Sequence, residues 1–248
     1  MPGVKPVLGI LGAGRLGVVL AQLASGAGYP VLIAGSGDPK RIALPQDALR
    51  QGAVAMTSVA AAEQADVVIL ALPLPKFREV PAEPLAGKTV IDAMNYWWEA
   101  DGLIPEFRDP IASSSEIVQK HLSASRIVKA FNHMGYADLA DESRPRGTAH
   151  RKAIGIAGDH TGDLEVVAGI VDDLGFDPVR VGVLADGVTL EPGTEPFGAD
   201  VGADELRAMV ERFPTSQRGL RRAAALAARS ATDPARSTPD PANTADTR

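Results

Sequence analysis

Gly12-Ala13-Gly14-Arg15-Leu16-Gly17 follows the apolar run Val7-Leu8-Gly9-Ile10-Leu11 and precedes Val18-Val19-Leu20-Ala21. A buried strand, a tight glycine turn and a helix start make a seat for pyrophosphate, because the free N–H groups of a helix's first turn attract anionic oxygens. In such a loop the first glycine permits the sharp turn and the second lets a phosphate approach the backbone. The third lets helix and strand pack closely. Alone, the pattern could be no more than a Gly-rich turn. Its flanks and its place at the head of an apparent βαβ unit point to a dinucleotide, with Arg15 directed over the pyrophosphate.

The end of the second strand chooses between dinucleotides. Selection of NAD usually places Asp or Glu there, about 20 residues past the glycines, on the ribose 2′-OH. Here that place holds Gly35-Ser36-Gly37, followed by Lys40 and Arg41. A hydroxyl and two cations suit a 2′-phosphate, so the expected cofactor is NADP, with Asp38 the one contrary signal. In the purely structural alternative, Asp38 caps a helix opening at Pro39 and the two cations are solvated on its first turn.

Composition narrows the class. A chain of 248 residues with 45% apolar residues can bury a full core. It has no cysteine, which removes disulfides, thiol nucleophiles and thiolate metal sites. The four histidines are scattered, so no metal site is expected. A net charge of -6 argues against nucleic acid as a partner. No apolar run approaches about 20 residues, so no membrane span is expected. The N-terminal run, broken by glycines and Arg15, does not read as a signal peptide. The expectation is a cytoplasmic protein, assembled as a homodimer, that meets a small-molecule redox acceptor.

β-branched runs alternate with Ala/Leu-rich stretches, the pattern of an α/β protein with a Rossmann-type, doubly wound, mostly parallel sheet. Strands are expected at 7–11, 31–34, 67–72, 89–92, 127–131, 153–157 and 178–181. Helices are expected at 16–25, 39–51, 58–64, 114–122 and 164–174. Ser113-Ser114-Ser115-Glu116 reads as a capping box, and Gly175 as a helix stop. After residue 183 the alternation ends. Prolines and glycines in 191–198 exclude regular structure, and two short helices fit 203–213 and 215–229. The division is therefore an extended NADP-binding domain at 1–183, a small helical C-terminal segment at 184–229, and a disordered tail at 230–248.

The glycine loop, Gly35-Ser36, Ala65-Asp66-Val67-Val68-Ile69-Leu70-Ala71-Leu72-Pro73 and Ile127-Val128-Lys129-Ala130-Phe131-Asn132 together resemble the coenzyme F420-dependent NADP oxidoreductases. The resemblance spans about the first half of the chain. It implies a Rossmann sheet extended by two strands, NADP at the strand C-termini and coenzyme F420 as the acceptor. It also implies that Leu72, Pro73, Asn132 and His133 flank the nicotinamide. Members often carry Arg directly after the serine; this chain has Gly37, which leaves that task to Lys40 or Arg41. The segment Asn95-Tyr96-Trp97-Trp98 also departs from the archaeal-type pattern.

Hydride transfer asks the protein mainly for orientation and exclusion of water, since the cofactor supplies the reactive carbon. His133 is the one catalytic candidate. It could donate to a substrate carbonyl, or be a partly exposed loop histidine beside Met134. Asn95, Trp97, Trp98 and Tyr136 are candidates for holding a flat acceptor, although the tryptophans could equally close a lid or a subunit contact. Two other functions fit the same first domain: reduction of a small imine or ketone by NADPH, and non-catalytic sensing of NADPH.

Overall fold

Short β-branched runs dominate the centre of the molecule. The computed structural model describes residues 5–232, and its strands are β1 (Leu8–Leu11), β2 (Val31–Ala34), β3 (Val54–Ala55), β4 (Val67–Leu70), β5 (Thr89–Asp92), β6 (Arg126–Lys129), β7 (Ala153–Gly158) and β8 (Asp177–Gly182). They form one sheet ordered β3-β2-β1-β4-β5-β6-β7-β8. Pairing is parallel throughout except between β6 and β7, where the direction reverses. β1, β2, β4 and β5 are buried at every position, as strands covered on both faces must be.

The helices are α1 (Arg15–Gly26), α2 (Gln46–Arg50), α3 (Ser58–Gln64), α4 (Trp98–Asp101), α5 (Ser114–His121), α6 (Tyr136–Asp141), α7 (Thr161–Asp173), α8 (Ala203–Arg212) and α9 (Gln217–Thr232). One face of the sheet packs against Leu20, Ala24, Leu139, Val167 and Ile170 of α1, α6 and α7. The other packs against Ala61, Phe77 and Val118. Among the described residues no helix is long and apolar enough to cross a membrane. The capping box forms: Ser113 Oγ accepts from Glu116 N, and the Glu116 carboxylate accepts from Ser113 N. Gly175 follows α7 with φ +103°, a conformation that favours glycine.

Several expected elements need correction. The single helix over 39–51 is instead a 3-10 turn at Pro39–Arg41 and, after an extended link, α2. Pro45 explains the break, since it lacks an N–H and drives the residue before it out of the helical region. The strand over 127–131 ends at Lys129, because Phe131 turns left-handed with φ 61°. The two-residue β3 and the short α4 and α6 were too brief for periodicity to reveal. Residues 184–190 form a 3-10 helix that buries Leu184, Val188 and Leu190. α9 runs to Thr232, past the expected start of the disordered tail at 230, and residues 233–248 of that tail lie outside the described residues.

One ionic pair is wholly enclosed. Asp92 ends β5 and Lys129 ends β6 as its register partner, and neither is exposed. Lys129 Nζ donates to Asp92 Oδ2 at 3.2 Å, to the Met94 carbonyl at 2.7 Å and to Ser114 Oγ at 3.3 Å. Asp92 also accepts from Met94 N at 2.9 Å and Ser115 Oγ at 2.7 Å. Removing one partner strands a charge in the core, so Lys129→Met should cost roughly 3–5 kcal/mol in urea unfolding. Pairing it with Asp92→Asn should recover part of that loss.

Candidate functional site

Three strand ends build a cleft of about 570 Å³. β1 contributes Gly12, Ala13 and Gly14; β2 contributes Ser36 and Arg41; β4 contributes Leu72, Pro73 and Lys76. The glycine loop is cut to fit. A Cβ at Gly12, where φ is +125°, would overlap the Ala71 carbonyl, and one at Gly17 would overlap the Gly12 carbonyl. Gly14 faces open space, with nothing within 4 Å of an added Cβ. It is the N-cap of α1, yet no side chain caps that helix and no acid stands in its first turn. Unclaimed amide donors beside an open glycine form a cradle that fits a pyrophosphate.

The other expected residues divide. Ser36 and Arg41 reach the cleft, whereas Lys40 is exposed on the same turn and does not line it. Asp38 Oδ1 accepts from Lys40 N at 2.9 Å, so the capping role holds on a 3-10 turn. Lys76 is a cation that the sequence argument missed; it enters from the turn after Pro73. Leu16 packs against the core, and Gly17 is buried beneath the loop. Arg15 Nη1 donates to the Tyr136 hydroxyl at 2.8 Å, and its guanidinium lies 5.5 Å from that ring. This clasp joins the N-termini of α1 and α6.

Asn95 and Asn132 tie the loops after β5 and β6 together. Asn95 Nδ2 donates to the Asn132 carbonyl at 2.7 Å, and Asn132 Nδ2 donates to Asn95 Oδ1 at 3.0 Å and to the Leu190 carbonyl at 2.7 Å. Asn132 is buried at 3% exposure, so its amide holds loops rather than facing the cleft.

His133 must be corrected more sharply. It is no loop histidine open to a substrate: it is 1% exposed, and Nε2 accepts from Gly155 N at 2.9 Å. Burial pushes it down to about 4, with the Pro196 carbonyl pulling the other way. With Nε2 accepting, the ring proton sits on Nδ1, the nitrogen left to the Pro196 carbonyl. A neutral ring accepting an amide proton inside the core can neither reach nor protonate a substrate at neutral pH.

Trp97 and Trp98 line a second cavity, a groove of about 830 Å³ shared with Tyr96, Phe107, Ser114 and Arg218. Tyr96 organises this loop: its hydroxyl donates to the Gly102 carbonyl at 2.5 Å and accepts from Ile104 N at 2.9 Å. Trp97 packs edge-on against Phe197 at 5.3 Å. The indoles stay 46% and 58% exposed. Glu191 closes the far wall, accepting from Ser114 N at 2.6 Å and from Arg218 Nη2 at 2.5 Å. The expected box of Trp97, Trp98 and Tyr136 is therefore not assembled; Tyr136 lines neither cavity.

Two outcomes follow from this geometry. Gly14→Val should fold with an unchanged melting temperature, and NADPH should no longer raise it, because such stabilisation requires ligand binding to the native state. Retained protection would make the loop merely structural. The depressed His133 value sets a pH dependence. Its contribution is complete above the ordinary histidine range, near pH 6.5, and is lost as pH falls toward about 4. That loss amounts to about 3 kcal/mol in unfolding free energy, measurable by urea titration at stepped pH and absent in His133→Gln.

The family model described as NADP oxidoreductase, coenzyme F420-dependent, matches residues 7–96, from β1 to the loop after β5. A curated relative, protein YjhV of Escherichia coli (strain K12), is 36% identical over 86 residues, covering 34% of this chain. That match spans 61% of the relative's own length. Among solved structures, the hypothetical protein SMa0349 from Sinorhizobium meliloti is 30% identical with a TM-score of 0.63, over 79% of this chain and 93% of that one. A protein of Arthrobacter sp. FB24, provisionally assigned as an F420-dependent NADP reductase, shares the fold at 23% identity. Its TM-score is 0.60, over 74% of this chain and 87% of that one.

Proposed function

The chain belongs to the family of coenzyme F420-dependent NADP oxidoreductases, and from that membership we propose that it moves hydride between NADPH and a planar acceptor, coenzyme F420 being the acceptor the family points to. The observation that carries the reading is the cleft at the ends of β1, β2 and β4, where an open glycine cradle stands beside Ser36, Arg41 and Lys76. Asp38 and Glu79 also line it, and Asp38 Oδ1 is engaged by Lys40 N. In this reading the α1 amides at Gly14 hold the pyrophosphate, and Ser36, Arg41 and Lys76 hold the 2′-phosphate. Leu72 and Pro73 form an apolar edge that keeps water from the nicotinamide. Reduced nicotinamide supplies the hydride when bound. Trp97 and Trp98 offer faces to a flat ring, and the Asn95–Asn132 pair fixes the loop that carries them.

Replacing Arg41 and Lys76 together with Ala should weaken NADPH binding by about 1–3 kcal/mol per contact and leave NADH nearly unchanged. Equal losses would sink the NADP assignment. For the acceptor, stopped-flow oxidation of bound NADPH against F420, FMN and a simple imine discriminates directly. Rapid, stereospecific transfer to F420 is expected. Turnover of the imine alone would replace the acceptor, and no turnover with any of them would favour a sensor.

A further inference from the structure

Three consecutive serines open α5, and the structure gives two of them full employment. Ser113 Oγ accepts from Glu116 N and donates to the Leu184 carbonyl, both at 3.2 Å. Ser115 Oγ donates to Asp92 Oδ2 at 2.7 Å. Ser114 differs. Its oxygen accepts from Lys129 Nζ at 3.3 Å, and its main-chain N–H is held by Glu191. An ammonium can only donate, so Ser114 is the acceptor in that bond and keeps its own hydroxyl proton to give. Among the described residues no acceptor takes that proton. Ser114 is 7% exposed and lines the groove with the two tryptophans.

Lys129 is fixed as well as buried. Its other donors go to Asp92 and to the Met94 carbonyl, so the ammonium cannot swing away from the serine. We propose that Ser114 is the hydrogen-bond donor to the acceptor in the aromatic groove, with Lys129 as its positioning residue. The chemistry it recognises is a carbonyl oxygen or imine-type nitrogen on the rim of a flat ring whose face lies on Trp97 or Trp98. When such a ring gains hydride at carbon, a π pair moves onto that heteroatom, which takes a proton from solvent, and the dinucleotide is oxidised. A preorganised donor backed by a positive charge in a sheltered site stabilises the charge that develops there. This inference rests on the groove being the acceptor's seat in the proposed reaction.

The chain's two tryptophans both line the groove, so their emission reports a bound ring without any turnover. Riboflavin, a flat ring with carbonyl oxygens on its rim, serves as the probe in the absence of dinucleotide. It is expected to shorten the tryptophan lifetime of the parent protein. Ser114→Ala should raise its dissociation constant about five- to twentyfold, and Ser114→Thr should restore most of the affinity. The NADPH-dependent rise in Tm should be the same in all three proteins. Three results would overturn the proposal: equal affinity in the parent and Ser114→Ala, no quenching in the parent, or a Ser114→Ala protein that loses NADPH protection too. Loss of NADPH protection in the parent, with the Ser114 effect intact, supports the donor assignment and removes the oxidoreductase reading instead.

Discussion

The Asp92–Lys129 pair sits where two parallel strands end, and much of the ligand-facing edge hangs from it. A charge in the core is tolerable only when its hydrogen bonds are all supplied, and here each partner has at least three. Those bonds reach outward in useful directions. The Met94 main chain is gripped from both sides, N–H by Asp92 and carbonyl by Lys129, which fixes the turn that delivers Asn95, Tyr96 and Trp97. Ser114 and Ser115 are gripped too, which fixes the start of α5 against the same turn. An apolar pair of equal volume could fill the space but could not specify these directions.

The glycine loop imposes a second constraint of a different kind, steric rather than electrostatic. Gly12 and Gly17 are forced by backbone carbonyls that would occupy the place of a Cβ, so they belong to the fold. Gly14 is free of any such neighbour, and its lack of a side chain leaves the α1 amides open. Two glycines that shape the chain and one that clears a space are indistinguishable by composition, and the structure separates them. Phe131 shows the converse. A bulky, fully buried side chain at φ 61° carries strain on the order of 1–3 kcal/mol, and the packing around it offsets that cost. The result is a sharp exit from β6 that sends Asn132 and His133 inward.

The sheet was legible because its strands are apolar and β-branched, and because a glycine turn marks where the first helix begins. The cleft followed from topology, since open parallel sheets bind at strand C-termini. Three things lay outside what periodicity shows. Pro45 was inside an expected helix that its own chemistry forbids. His133 and Asn132 could be assigned to a loop but not to the inside of one, because burial depends on the distant segments 155 and 190–198. Lys129 and Asp92 did leave a signal: one basic and one acidic residue interrupt otherwise apolar runs, at the ends of strands expected to be neighbours. Read as a pair rather than as two strand ends, they would have located the buried network.

The separation of Tyr136 from the tryptophans bears on how the molecule divides its work. Sequence order places all three just after strands, but consecutive crossovers deliver them to opposite faces of the sheet. Tyr136 opens α6, which packs with α1 on one face, whereas the loop carrying Trp97 packs toward α5 on the other. The Arg15–Tyr136 clasp therefore belongs with the dinucleotide loop, and the indoles belong with α5, Glu191 and the C-terminal Arg218. The cleft and the aromatic groove share no lining residue and are distinct features of the same sheet. The ends of β5 and β6 are held together by the Asn95–Asn132 bridge and by the buried ion pair, so the loops that leave them start from a fixed base.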